Sequence, residues 1–298
     1  MDLHTDLHTY MHQQRQRVDS ALSEYLPAKG EKPQRLHEAM HYSVFAGGKR
    51  LRPLLMLAAC TCVGGDDNNA MPAACAMEMI HTYSLIHDDL PAMDDDDFRR
   101  GVATNHKVFG EALAILAGDA LLTQAFITLA QPQPQLECAT QQRVCAIIAA
   151  AAGAAGMVGG QVVDMQAEGT SVDLATVEYI HNHKTGALIR ASIECGALLG
   201  AADAASYNRL CQFGRAAGLA FQIADDILDI VGDQQQLGKD IGSDAERGKA
   251  TWPAVAGIKA ARRQMEQLHQ QALTALEPFG DSATALRQMS AYIITRSS

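Results

Sequence analysis

The chain is 298 residues long, 48% hydrophobic, and carries a formal net charge of −10 with an isoelectric point near 5.5. That length allows one large domain or two, and acidity gathered into two clusters argues for a cation partner and against a nucleic acid. No linker divides the sequence, so a single domain over residues 1–298 is expected.

The start, Met1-Asp2-Leu3-His4, carries no signal-peptide pattern. Asp-Leu-His-Thr occurs twice, at Asp2 to Thr5 and Asp6 to Thr9, within the first predicted helix; its histidines are too few for a metal tract. The seven cysteines (Cys60, Cys62, Cys75, Cys138, Cys145, Cys195, Cys211) are scattered, and Cys60-Thr-Cys62 is not a zinc spacing. Free, mostly buried thiols in a reducing, cytoplasmic setting are expected. Apolar residues recur at three-to-four spacing in long segments, and no stretch sustains strand alternation. This predicts eight or more long helices around one core, an all-α helical bundle. Breaks are predicted at Pro27 to Pro33, Gly64 to Pro72, Pro132 to Pro134, Gly232 to Gly248 and Pro278 to Gly280.

The first charged motif is Gly47-Gly48-Lys49-Arg50-Leu51-Arg52-Pro53. Lys49 and Arg52 stand three apart at a glycine-opened helix start, where backbone N–H groups favour anions, so one phosphate group could bind there without metal. Standing alone, the motif would read better as an exposed basic cap.

A largely apolar helical segment, Met77 to Ile86, then runs into His87 to Gly101, where six carboxylates fall between Asp88 and Asp97 and are followed by Arg99 and Arg100. A run of aspartates is usually a solvated loop. Here it closes an apolar helix and abuts two arginines, the pattern of a metal-bridged phosphate site: magnesium takes carboxylate, phosphate and water oxygens, and arginine grips phosphate with a planar fork. A calcium loop does not fit, because Leu90 holds its third position and no Gly its sixth. Asp88 and Asp94 are about 600° apart along an ideal helix, hence about 120° apart in direction. Pro91 is expected to deform the helix so that both can serve one centre.

Val144 to Val163 is uncharged and about a membrane span long, but rich in Ala and Gly; it reads as a buried helix whose glycines permit close packing, with no transmembrane segment. Gln161 and Asp164 at its end could turn into the polar centre. Lys184-Thr185-Gly186, Gly238-Lys239-Asp240 and Gly248-Lys249-Ala250 are each weak signals alone. The second acidic cluster, Phe221 to Asp229, puts Asp225 and Asp229 four apart on one helix face with Gln222 one turn earlier. Its three carboxylates are expected to face a common ion, since apolar neighbours would make uncompensated charge costly there.

Taken together and in order, these motifs resemble the trans-isoprenyl diphosphate synthases, most closely the bacterial farnesyl diphosphate synthases, over nearly the whole chain. The resemblance implies an isoprenoid-synthase helical bundle around a central cavity, a homodimer, three magnesium ions (Mg2+), and head-to-tail condensation of an allylic diphosphate with isopentenyl diphosphate. It implies that Asp88, Asp94 and Asp225 bind the metal. It implies that Arg99, Lys184, Gln222, Lys239 and Lys249 touch the allylic substrate, while Gly48, Lys49, Arg52, His81 and Arg100 hold isopentenyl diphosphate. Lys184, Thr185 and Gln222 are the implied catalytic residues, stabilising an allylic cation through their dipoles, and the proton goes to the released diphosphate. His81, two turns before Asp88, reads equally well as a satisfied core histidine when taken without the family match.

Two other classes are weighed. A terpene cyclase also ionises allylic diphosphates, but its usual second motif differs from Asp225-Asp226-Ile-Leu-Asp229 and it needs no second diphosphate site. A non-catalytic partner subunit usually has eroded aspartates, and none is missing here. Product length is read from Tyr83 and Ser84, five and four positions before Asp88, roughly 6 to 7.5 Å along the axis. By the resemblance, an aromatic there with two extra residues within Leu90 to Met93 goes with a fifteen-carbon product, farnesyl diphosphate; geranylgeranyl diphosphate is the alternative.

Overall fold

The computed structural model describes residues 3–231 and 248–295. Lys239 and the predicted break over 232–247 lie outside the described residues. The all-α expectation is met. Helix α1 (Leu3–Tyr25) stops before Pro27, α2 (Gln34–Val44) begins directly after Pro33, and α3 (Leu51–Cys62) follows the glycine-rich turn. Helix α4 (Met71–Asp88) has Pro72 in its first turn, where a missing N–H costs nothing. Then come α5 (Asn105–Phe109), α6 (Glu111–Leu129), α7 (Cys138–Ala152), α8 (Met157–Ala167) and α9 (Leu174–Ile180). A π-helical turn, His181–Thr185, joins α9 to α10 (Gly186–Leu199), and α11 (Ala204–Val231) carries the second acidic motif. The chain closes with α12 (Trp252–Ala256), α13 (Ile258–Leu276) and α14 (Thr284–Thr295).

The core is built where α3, α10 and α11 meet. Helix α3 buries Leu54 to Cys60 without interruption, and α10 buries Leu188, Ile189, Ile193 and Leu199. Each fully buried aliphatic side chain contributes about 1.5–3 kcal/mol. Gly196 sets the spacing of the α3–α10 pair, because a Cβ there would lie 2.2 Å from the Met56 carbonyl oxygen.

Three local readings change. Helix α4 does not bend at Pro91; it ends at Asp88, and the loop returns so that Asp94 N–H donates to the Asp88 carbonyl at 2.8 Å. Proline and the restriction on the residue before it terminate the helix here. A small hairpin, β1 (Phe98–Arg99) with β2 (Val102–Ala103), follows where only helix was expected. Its two turn residues, Arg100 (φ 55°) and Gly101 (φ 79°), both lie in the left-handed region, as a tight hairpin turn requires. The stretch from Val144 to Val163 is not one buried helix either.

That stretch breaks at Gly153 to Gly156 into the end of α7 and most of α8, and Val158, Val162 and Met165 are exposed. Glycines turn the chain back so that α8 packs on the π-turn: a Cβ at Gly160 would lie 2.2 Å from the Lys184 backbone nitrogen. By length and composition alone, Glu111–Leu129 and Cys138–Ala167 could each cross a membrane.

Gly196→Ala should force α3 and α10 apart, since the atom it meets is backbone. The expected cost is about 1–3 kcal/mol, seen in calorimetry as a melting temperature lower by about 2–10 °C. An unchanged melting temperature would show that this contact does not set the helix spacing.

Candidate active site

The basic wall begins at the turn before α3. Gly47 (φ 95°), Gly48 (φ 115°) and Arg50 (φ 53°) wind it through left-handed conformations. A Cβ at Gly48 would sit 2.4 Å from Arg100 Nη1, so the hairpin tip can close over the turn only because residue 48 is glycine. Arg50, 2% exposed, is held in its unusual backbone by a guanidinium that makes four hydrogen bonds. Its Nε donates to Asp19 at 2.8 Å and its Nη1 to Glu78 at 2.9 Å. Nη1 and Nη2 also donate to the carbonyls of Gly47 and Val44 at 3.1 and 2.6 Å. Burial alone would make this guanidinium less basic, but Glu78 and Asp19 more than reverse that. Sequence reading chose Lys49 and Arg52 and passed over Arg50. Its acidic partners lie 31 and 28 residues away, so no local spacing reveals them.

Arg50 fixes the turn that carries Lys49 and Arg52. Arg52 Nε is buried without a protein partner, and burial, with Arg100 nearby, lowers its pKa to about 10 although Glu78 and Asp225 act in the other direction. It stays charged at neutral pH. His81 is pushed well below the usual imidazole range by burial and then by Arg52, Arg100, Arg99 and Arg50. A neutral imidazole among four guanidinium groups marks a place prepared for an anion. Arg100 donates to the Gly47 carbonyl, and Lys49 lies exposed with Nζ 5.3 Å from the Tyr292 ring centroid.

The acidic wall stands opposite. Asp88 ends α4, and its carboxyl is raised to about 6 by burial, with Asp94 and Asp89 adding to the effect and Lys184 and Arg99 opposing it. Lys249 Nζ lies 3.8 Å from Asp94 Oδ1. Asp89, 3% exposed, is gripped by Arg99, which also reaches Asp96 at 3.3 Å. The hairpin is fastened to α2 by Tyr42 Oη donating to the Ala103 carbonyl at 2.7 Å, and by Asn105 Nδ2 donating to Ala39 at 2.9 Å and Ser43 at 2.8 Å. A small pocket at the hairpin is bounded by Tyr42, Thr82, Ile86 and Val102 together with Asp89, Arg99 and Arg100.

The third wall joins the π-turn to α11. Lys184 Nζ donates to Asp164 at 2.6 Å. Burial would lower Lys184, but Asp164, then Asp88 and Asp94, raise it above the usual ammonium value. The expectation that Asp164 turns inward therefore holds, and the Gln161 side-chain oxygen beside it is buried without a protein partner. Thr185 and Gln222 are half-buried, and α11 packs against the start of α10 at Gly218 and Gly186. The second motif departs from expectation. Its three carboxylates do not face one ion: Asp226, 3% exposed, points into the protein, accepting from Trp252 N–H at 2.7 Å and lying 2.7 Å from His181 Nε2. On a helix, neighbours are about 100° apart, so Asp225 and Asp226 cannot share a direction.

Asp88, Asp94 and Asp225 are not gathered into a cage. Among the described residues, the His/Cys/Asp/Glu group whose ligand atoms lie within 4.8 Å of one another is Asp95, Asp97 and His106, at the hairpin, where Lys107 Nζ already lies 2.6 Å from Asp97. An open arrangement nonetheless fits magnesium, which is usually held by one or two carboxylates together with substrate phosphates. Burial is the main cause of the upward-shifted Asp88 carboxyl, and a cation bound there would offset that cost.

An all-helical bundle with a cationic wall facing carboxylates at one mouth defines a class of enzyme that handles polyanions with metal. Residues 33–288 match the polyprenyl synthetase family model, and the chain belongs to that family. It is similar to a farnesyl diphosphate synthase of Geobacillus stearothermophilus, 50% identical over 86% of both chains. It is also similar to a geranylgeranyl diphosphate synthase of Cyanophora paradoxa, 44% identical over 98% of this chain and 97% of the relative. Its fold matches that of an FPP/GFPP synthase of Zymomonas mobilis with a TM-score of 0.87 and 40% identity, over 98% of this chain and 99% of that one. The protein is a metal-dependent trans-prenyltransferase acting on prenyl diphosphates.

A buried carboxyl with a raised pKa weakens the metal-free fold above that pKa. Below about pH 4 Asp88 is protonated in both folded and unfolded chains, and above about pH 6 the full cost is present, of order 1–3 kcal/mol. Metal-free Asp88→Asn should therefore melt higher than wild type at pH 8 and equally at pH 4. A variant that melts lower at pH 8 would contradict a burial cost on the Asp88 carboxylate.

Proposed function

We propose that the chain condenses isopentenyl diphosphate with dimethylallyl and then geranyl diphosphate, releasing diphosphate and giving (2E,6E)-farnesyl diphosphate. Asp88, Asp94 and Asp225 would hold Mg2+, three ions in this reading. Magnesium, when bound, neutralises the diphosphate leaving group and favours its departure from the allylic carbon. Arg99, Lys184, Gln222, Lys249 and Lys239 would bind the allylic diphosphate. Gly48, Lys49, Arg52, His81 and Arg100 would bind isopentenyl diphosphate, with Gly48 giving backbone room for the phosphate. As charge separates, Lys184 stabilises the departing anion, while Thr185, Gln222 and the Lys184 carbonyl direct dipoles at the cation. The isopentenyl double bond attacks that carbon, and the proton lost goes to the released diphosphate. Packed apolar residues behind Asp88 keep water from the cation.

The observation that carries the fifteen-carbon reading is the position of Tyr83. It is 7% exposed, one turn and more behind Asp88 on α4, and its ring packs edge-on to His87 at 5.7 Å. His87 is itself wedged over Gly118, where a Cβ would lie 2.1 Å from its Nε2. A floor backed in this way does not swing aside. Ser84 beside it donates to the His81 carbonyl at 2.9 Å and adds little bulk. The relatives named above differ in product, so product length rests on this floor.

We infer also a homodimer. Ile115, Leu116 and Ile127 leave an apolar strip exposed on α6, which a second copy would cover. Seven free thiols, five of them buried like core hydrophobes at 5% exposure or less, suit a cytoplasmic, reducing compartment.

Incubation with isopentenyl diphosphate, magnesium and dimethylallyl diphosphate, followed by chromatography, tests the reading. Wild type should stop at fifteen carbons and Tyr83→Ala should run on to twenty or more. A twenty-carbon main product from wild type overturns the farnesyl reading, and identical product spectra remove Tyr83 as the floor.

A further inference from the structure

Asp226 stands between a candidate metal carboxylate, Asp225, and the apolar core, and its own carboxylate is turned away from the cavity. One oxygen, Oδ2, takes both of its partners: His181 Nε2 at 2.7 Å and the backbone N–H of Trp252 at 2.7 Å. All three groups are buried, with His181 and Trp252 both 4% exposed. Since the oxygen faces Nε2 directly, that nitrogen carries the donated proton.

What the three partners belong to gives the contact its meaning. His181 opens the π-helical turn, and Lys184 and Thr185 close it three and four residues later. A π-turn has one more residue per turn than the surrounding helix, and such bulges need outside support to persist. Here the support is specific: Gly186 N–H closes the turn on the His181 carbonyl, and the His181 ring is tied to Asp226. Trp252 starts α12 three residues after Lys249, whose ammonium lies beside Asp94. Asp226 itself is fixed one place from Asp225 on α11. One carboxylate oxygen thus joins the three segments that present Asp225, Lys184 with Thr185, and Lys249.

We propose that Asp226 is a positioning residue, which with His181 holds these three segments in the register that the allylic diphosphate requires. It does not serve as a metal ligand. The inference rests on the reading of Lys184 and Lys249 as substrate residues, but the contact it invokes has its own signal, because Trp252 is the chain's single tryptophan.

The experiment compares Asp226→Ala, Asp226→Asn and His181→Ala by tryptophan emission, acrylamide quenching and steady-state kinetics in each substrate. Asp226→Ala should shift Trp252 emission to longer wavelength, increase its quenching, and raise KM for geranyl diphosphate tenfold or more while KM for isopentenyl diphosphate stays within threefold. Asp226→Asn keeps an oxygen that can accept both hydrogen bonds, so emission and both KM values should stay near wild type. His181→Ala should raise the allylic KM with Trp252 emission little changed. If Asp226→Ala does not fold, Asp226→Asn decides. A hundredfold loss of kcat in Asp226→Asn with wild-type emission would make the negative charge itself essential and overturn the proposal. Unchanged emission and kinetics in Asp226→Ala would overturn it as well. Lys184→Ala separates the two readings: no change in its allylic KM would remove the substrate assignment, while the emission shift in Asp226→Ala would still stand for the clamp.

Discussion

Carboxylates brought together away from bulk water must be neutralised, and this constraint shapes the mouth of the bundle. Asp88 ends α4 and Asp94 stands on the loop after it, with Asp164 under the π-turn and Asp225 on α11. The protein neutralises some of this charge itself. Arg99 takes Asp89, Lys184 takes Asp164, and His181 with Trp252 takes Asp226. What is left is Asp88, whose pKa is raised mainly by burial, beside Asp94, a pair suited to a cation that arrives with its own phosphate ligands. The basic wall at Arg50, Arg52 and Arg100 solves the reverse problem. There, Asp19 and Glu78 neutralise Arg50, while Arg52 and Arg100 stand near a His81 kept neutral mainly by burial, an arrangement suited to a polyanion.

Close backbone approach is what lets these walls face each other. Gly48 admits Arg100, Gly160 admits the Lys184 backbone, Gly118 admits His87, and Gly196 brings α3 against α10. In each case the atom that a Cβ would meet belongs to a residue of the site, to its support or to the core pair beneath it. Helices made of small residues keep the distances short, and long polar side chains then reach across.

The helices, their breaks and both acidic motifs are legible in the sequence because they depend on local spacing: Asp225 one turn after Gln222, Pro91 shortly after Asp88, proline at the helix starts. What the sequence hides depends on pairs distant along the chain. Nothing near Arg50 announces Asp19 and Glu78, and nothing near Asp226 announces His181 or Trp252. The expectation of three carboxylates on one ion failed for that reason, since counting acids cannot tell a carboxylate aimed at the cavity from one aimed at a partner 45 residues away. The hairpin escaped for a different one. Two strands of two residues each are too short to alternate, and the signal was the left-handed turn at Arg100-Gly101.

In the proposed reading the two diphosphate sites differ in kind: the one at Lys49, Arg52 and Arg100 needs no metal, and the one at Asp88, Asp94 and Asp225 needs metal in addition to Arg99 and Lys184. Calorimetry with metal-free protein tests it directly, titrating isopentenyl diphosphate to saturation and then adding an unreactive thiolo analogue of geranyl diphosphate. The account predicts that isopentenyl diphosphate binds without metal, and that the analogue gives no heat until magnesium is supplied. Equal binding of the analogue with and without magnesium, or an isopentenyl diphosphate site that itself requires magnesium, would contradict it.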